Sequence, residues 1–366
     1  VFLGPRATHA TGRHRSLAAT VPGKGASRFG PGRVVCPAMD FGFTLKPDHP
    51  AERIVALAKL AEAAGFSHGW LDDARGGRDV YPLLTLMAQA TDRLRVGTCV
   101  TNPATRDITV TASVMATLAE ISGGRTDLGL GRGDPAQRVL GQGPMATRPL
   151  DHAVPIMRDL AAGRKTSYGE VELDLPWAEG HELPVWIAGY EPIVLGMAGR
   201  SADGVILELA DPALVAWMAG LARAAAVEVG RDPSALRIQV AVPVHVGPAA
   251  DGRERVRWFP EAVAGHVADV LDHFPVERLP DSLRAYVHAD PVHENARQPG
   301  ARQPDAVIDQ FALVGPAEEH VRRLRELEAT GVEHFNLYLV NGDEEAQIEA
   351  YGREVIPVMR EALSTG

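Results

Sequence analysis

The chain has 366 residues, 45% of them hydrophobic, and a formal net charge of −10 from 37 Lys and Arg against 47 Asp and Glu. That acidic balance excludes a general nucleic-acid binder, which needs clustered Lys and Arg, and no run of about 18 apolar residues supports a membrane-spanning helix. Two cysteines, Cys36 and Cys99, without CxxC or metal spacing point away from a disulfide framework and towards a reducing cytoplasm, with a small molecule as the expected partner.

Residues 1–38 carry six basic side chains (Arg6, Arg13, Arg15, Lys24, Arg28 and Arg33) and no acid. The segment is rich in Gly, Pro, Ser and Thr and has no apolar period, so it cannot offset the entropy of its own ordering and is expected to be a disordered leader. A transit peptide shares the acid-free composition, but Pro5, Pro22 and Pro31 interrupt any amphipathic helix. An upstream extension fits better, with Met39 opening the first strand and Val1 reflecting a non-AUG start.

From Met39 the chain alternates with a period of roughly 30 residues, the length of a βα unit. "MDFGFTL" (39–45) predicts strand one, and "PAERIVALAKLAEAAG" (50–65) a helix that begins near Pro50 and stops at Gly65. Strand two is expected in "FSHGWLDD" (66–73), a helix in "YPLLTLMAQAT" (81–91), strand three in "LRVGTCVT" (94–101) and a helix in "ITVTASVMATLAEIS" (108–122). Strands four to eight are expected in "RTDLGLGRGD" (125–134), "LPVWIAGY" (183–190), "DGVILELAD" (203–211), "LRIQVAVPVHV" (236–246) and "HFNLYLV" (334–340). Eight alternating units predict an α/β fold, a (β/α)8 TIM barrel over 39–366. Residues 141–183 and 275–310 read as insertions.

In this fold the chemistry sits at the carboxyl ends of the strands. The polar residues there are Asp72 and Asp73, Thr98 to Asn102, Arg132 and Asp134, Gly189 and Tyr190, Glu208 and Asp211, His245 and Asn341. Asp107 and Asp211 read equally well as helix N-caps. "LGLGRGD" (128–134) is not a dinucleotide fingerprint, because it closes the fourth βα unit and no strand ending in an acid follows it. A metal-dependent barrel hydrolase is disfavoured too, since strand one ends in "FTLKPD" without an HxH pair.

Four longer stretches carry a resemblance: 100–134 ("VTNPATRDITVTASVMATLAEISGGRTDLGLGRGD"), 182–211 ("ELPVWIAGYEPIVLGMAGRSADGVILELAD"), 255–270 ("RVRWFPEAVAGHVADV") and 311–340 ("FALVGPAEEHVRRLRELEATGVEHFNLYLV"). They resemble the bacterial luciferase-like superfamily, specifically its branch of deazaflavin-dependent oxidoreductases that includes methylenetetrahydromethanopterin reductase. The resemblance implies a barrel whose mouth binds coenzyme F420, and hydride transfer between that reduced coenzyme and a small organic substrate. It also admits FMN with a monooxygenase activity fed by a separate flavin reductase, or a flavin-binding barrel without catalysis. Similar proteins are commonly homodimers.

The same resemblance assigns residues. A non-prolyl cis peptide is implied at Cys99-Val100, behind the cofactor ring, with Thr98 and Asn102 beside it and Gly131 and Gly133 bringing the backbone close beneath the ring. Cys99 itself reads as a small buried thiol. Ala188, Gly189 and Tyr190 lead into a helix N-terminus suited to a phosphate, and Asp203 and Gly204 are implied to pack near the same phosphate tail. The acids matched to proton handling are Asp134 first, with helix capping as its alternative role, and Asp72 second. Related sequences often carry a histidine where this chain has Ala74, which leaves Asp73, His245 or His266 as replacements, and Arg75 and Arg78 in the same loop to meet an acidic group.

Overall fold

The computed structural model describes residues 39–73, 76–133, 136–137, 139–178, 180–260 and 305–361. The expected leader over 1–38, Ala74, Arg75, Asp134, His266 and most of the 275–310 insertion lie outside these residues. Eight parallel strands form a closed ring: β1 (Asp40–Leu45), β2 (His68–Leu71), β3 (Arg95–Thr101), β4 (Thr126–Leu130), β5 (Val185–Ala188), β6 (Gly204–Leu207), β7 (Arg237–Val246) and β8 (His334–Leu339). Neighbours in sequence are neighbours in the sheet, and β8 pairs with both β7 and β1 to close it. A further short strand, Leu313–Gly315, extends the long β7. The helices between them include α1 (Ala51–Ala63), α2 (Val80–Ala90), α3 (Ile108–Ser122), α4 (Thr147–Ala161), α5 (Pro192–Ser201), α6 (Pro212–Glu228) and α7 (Ala249–Val256). No helix among the described residues is long and apolar enough to cross a membrane.

The pleat sorts each strand into two sets of side chains. Phe41, Phe43 and Leu45, with Phe335, Leu337 and Leu339, alternate outward and join the helices in the main apolar core. Each such side chain contributes about 1.5–3 kcal/mol on burial. The inward set is different in kind: Trp70, Cys99, Trp186, Ile206 and Ala241 form a separate cluster inside the barrel, with Thr44, Gln239 and Asn336 fully buried among the polar residues.

The amino ends of the strands are closed by charge and rings. Arg95 Nε donates to Asp127 Oδ2 at 2.6 Å and Trp186 Nε1 to Asp127 Oδ1 at 3.0 Å, while the Arg237 guanidinium lies 5.1 Å over the Trp186 ring and donates to Asp40 at 2.8 Å. His68 and His334 sit beside them with ring centroids 4.3 Å apart. Burial holds both imidazoles well below their ordinary range.

Local signals explain the helix ends. Gly65 takes φ +96° just past α1, the left-handed conformation that glycine adopts freely. Asp107 accepts from Thr109 N at 2.8 Å and Asp211 from Leu214 N at 2.9 Å, so both act as N-caps. The reading of 141–183 as an irregular insertion is corrected: it contains α4 and a hairpin of Thr166–Tyr168 with Val171–Leu173. Pro149 falls in the first turn of this helix, where its missing N–H costs no helical bond, and Pro155 lies inside it. Leu150, Ala153, Val154, Met157, Leu160 and Ala161 recur at helical spacing and are buried.

Candidate active site

The inward column of side chains on these strands runs up to the barrel mouth. Lys46 lies two residues beyond Thr44 of β1, Asp72 two beyond Trp70 of β2, Glu208 two beyond Ile206 of β6, and Tyr338 two beyond Asn336 of β8. Strand parity therefore gathers a cation, two carboxyls and a phenol at one end of the barrel. Val100, Ala188 and Tyr338 pack on the inner cluster as its partly buried upper wall. The Phe259 ring stands 5.7 Å from the Tyr338 ring.

Behind this wall, the Cys99-Val100 peptide is cis, and the β3–β4 register shifts between Thr98 and Thr101. Cys99 is buried, with Asn336 Nδ2 at 3.6 Å and Gln239 Nε2 at 3.9 Å from its sulfur, and burial pushes its thiol up to about 12. Thr98 gives its hydroxyl to Gly129 O at 2.9 Å, and Asn102 Oδ1 accepts from the backbone of Ala104 and Thr105, each at 3.1 Å. These two side chains hold the backbone on either side of the bulge. A Cβ on Gly131 would come within 2.9 Å of Val100 Cγ2, and one on Gly133, where φ is +75°, within 2.7 Å of the Asn102 side chain.

Across the mouth, Gly189 packs its Cα face against Val194 at the start of α5. Tyr190 donates its phenol proton to Glu208 Oε2 at 2.7 Å, and Tyr338 donates to Glu208 Oε1 at 2.6 Å. Glu191 precedes α5 without capping it, because its carboxylate is drawn to Arg132 at 2.8 and 2.9 Å. Arg132 is thereby a structural residue, also donating to Met145 O at 2.6 Å. Asp73 accepts from Thr101 Oγ1 at 2.6 Å. Asp72 is raised to about 7, by desolvation first, then by the charges of Glu208 and Asp73, against Lys46 acting the other way.

One expectation about position is corrected. Asp203 and Gly204 open β6 at its amino end, the opposite end of the barrel from the mouth. There Asp203 Oδ2 accepts from Val185 N at 2.8 Å and Arg158 at 2.7 Å, and Gly204 lies against the Trp186 ring. Both residues open the stretch 203–211, and the strand itself separates them from the mouth. His245 lies at the carboxyl end of β7 as expected, with Nδ1 3.0 Å from Asp343 and 3.2 Å from Gln347. The structure thus brings Asp72, Val100, Gly131, Ala188, Gly189 and Tyr190 to the strand ends, while Asp134 and His266 fall outside the described residues. Glu208 was on the strand-end list without a role, and Lys46 and Tyr338 were missed; the two-residue parity of "HFNLYLV", with His, Asn and Tyr on one face, was the signal for Tyr338.

Comparison with known proteins agrees with this architecture. A family model described as luciferase-like monooxygenase matches residues 34–334. The 5,10-methylenetetrahydromethanopterin reductase of Methanolobus tindarius is 28% identical over 338 residues, covering 87% of this chain and 100% of that protein. An F420-dependent glucose-6-phosphate dehydrogenase of Microbacterium testaceum is 27% identical over 83% of this chain and 92% of its own length. Among solved structures, the coenzyme F420-dependent tetrahydromethanopterin reductase from Methanopyrus kandleri superposes with a TM-score of 0.68 at 23% identity, over 88% of this chain and 100% of that one.

Proposed function

The chain belongs to the luciferase-like monooxygenase family, and from that premise we propose that it is an oxidoreductase using the deazaflavin coenzyme F420 on a small organic substrate. The similarity over most of the chain to a protein named as F420-dependent supports the choice of cofactor. The observation that carries the reading in the structure is Asp72, a carboxyl raised to about 7 beside an apolar wall at the strand ends.

A planar ring system would lie in the mouth. Val100 and Ala188 offer an apolar face, and the absence of a side chain at Gly131 leaves Val100 in place. Ala188, Gly189 and Tyr190 lead into the N-terminus of α5, whose first turn takes no side-chain cap, and this is the end that would hold a phosphate. The coenzyme supplies a hydride acceptor or donor when bound. Asp72 holds a proton near neutral pH and is placed to exchange it with a substrate oxygen or nitrogen in the mouth. Asp134 is the second acid in this proposal, Cys99 and Val100 back the ring, and Thr98, Asn102 and Gly133 act indirectly by fixing the backbone there.

Absorbance titration of the purified protein with F420 and with FMN tests the reading. Saturable binding of F420 supports it, and tight binding of FMN with none of F420 overturns it.

A further inference from the structure

The inward columns of β1 and β2 lead to Lys46 and Asp72. Thr44 pairs in register with Trp70 and Leu45 with Leu71, and Asp72 N donates to Leu45 O at 3.1 Å, so Lys46 and Asp72 stand side by side at the mouth. An aromatic wall rises next to them from the segment after α7 and from β8. The Trp258 ring meets the Phe259 ring edge-on at 5.4 Å, and Phe259 meets Tyr338 at 5.7 Å. The indole is fixed at its nitrogen, where Nε1 donates to Asn341 Oδ1 at 2.9 Å.

The Lys46 ammonium lies 4.9 Å from the centroid of that Trp258 ring. An aromatic face attracts a cation, but it leaves the three N–H donors of the ammonium without a true acceptor. Lys46 is half-buried and makes no ion pair or hydrogen bond among the described residues. Two carboxyls of the mouth are engaged elsewhere: Glu208 accepts from Tyr190 and Tyr338, and Asp73 from Thr101. An ammonium steadied by an indole, with its donors unused, is set to receive an anion.

Position separates this anion from the coenzyme phosphate. The α5 N-terminus follows β5, which is four strands from β1 in the ring of eight and so lies directly across the barrel. We propose that Lys46, held by Trp258, binds an anionic group of the substrate, a carboxylate or a phosphate ester, and sets the substrate beside Asp72. The inference rests on the proposed oxidoreductase function and narrows its substrate to an organic anion. The exposed part of the Trp258 ring gives apolar surface to the carbon skeleton next to that group.

The chain has four lysines, Lys24, Lys46, Lys59 and Lys165, so reductive methylation with 13C-formaldehyde yields few signals, and that of Lys46 is the one lost in Lys46→Arg. The full-length protein is titrated at constant ionic strength with benzoate, phenyl phosphate and neutral benzamide. The Lys46 signal should shift saturably with at least one of the anions and not with benzamide, while Lys59 and Lys165 stay unmoved. The tighter of the two anions tells carboxylate from phosphate ester. Tryptophan fluorescence then gives affinities: Lys46→Met should weaken the anion by about tenfold or more, and Lys46→Arg, which keeps the charge, by less. Near-UV circular dichroism checks the fold, and Lys46→Gln replaces Lys46→Met if the latter does not fold.

The inference is overturned if neither anion moves the Lys46 signal, if benzamide moves it equally, or if folded Lys46→Met binds the anion as the parent does. Titration with F420 distinguishes the source of the anion. Lys46→Met should keep the parent's affinity for F420; an equal loss there assigns Lys46 to the acidic groups of the coenzyme and overturns the inference. Failure of the parent to bind F420 sinks the proposed function, and the benzoate and phenyl phosphate titrations still read the anion site.

Discussion

The Tyr338 phenol lies 2.6 Å from Glu208 Oε1 and 3.9 Å from Cys99 Sγ, so one side chain of β8 ties β6 and β3 together across the barrel mouth. The residues around it share an interior that is apolar enough to shift protonation and polar enough to specify where the shifts fall.

Replacing Asp72 by Asn should lower turnover by roughly 10²–10⁴-fold, the usual range for losing a general acid or base. In the reductive direction Asp72 acts as the acid, so the parent rate should fall as pH rises through about 7; in the oxidative direction it should fall as pH drops below that value. The substitution acts on stability in the opposite direction from turnover. A carboxyl raised from 3.8 to about 7 binds protons more tightly when folded, so the fold loses stability as pH rises through that interval, by at most ~4 kcal/mol. Asp72→Asn should therefore melt higher than the parent at pH 8, read by calorimetry, while being nearly inactive.

Cys99 should be inert. Its thiol is buried and pushed up to about 12, and the thiolate is the reactive form. Iodoacetamide at pH 8 should leave Cys99 unmodified in the folded protein and modify it fully in denaturant, read by peptide mass. Rapid native labelling would show that the barrel interior is open at β3.

Gly131→Ala and Gly133→Ala separate two uses of the same loop. At Gly131 the new methyl meets Val100, a wall of the mouth, so F420 binding should weaken on the order of tenfold, about 1.4 kcal/mol, with a small change in melting temperature. At Gly133 the backbone is left-handed, at φ +75°, and the methyl meets Asn102. The backbone alone costs roughly 1–2 kcal/mol, so this variant should lose stability more than affinity.

The amino end of the barrel should set its sensitivity to acid. His68 and His334 are held well below 6.5 by burial, so below pH 6.5 the unfolded chain binds more protons than the folded one. Stability is then lost as pH falls through that value. His334→Asn should show a lower melting temperature at pH 7.5 and a shallower decline between pH 7 and 5; an unchanged slope would remove His334 from the account.

Much of the barrel is legible in the order of the residues. β7 at Arg237–Val246 and β8 at His334–Leu339 lie within one residue of the expected strands, because alternation of apolar and polar side chains is a local property that each strand carries on its own. Helix α4 was missed although Leu150, Ala153, Val154, Met157, Leu160 and Ala161 recur at helical spacing within it. Asp203 was misassigned for a simpler reason: its place at the start or the end of a strand decides which end of the barrel it joins, and here it joins the end opposite the carboxyl ends of the strands.

By itself, then, the sequence determined the eight βα units, the strand-end addresses of Asp72 and Glu208, and the stretches that place the chain in its family. Tertiary structure alone decided which strand-end residues meet. Closure of the ring sets Tyr338 of β8 and Tyr190 at the end of β5 on the two oxygens of Glu208. Such contacts join residues far apart in the chain, and the strength of each depends on distance and on the exclusion of water. A linear pattern encodes neither quantity.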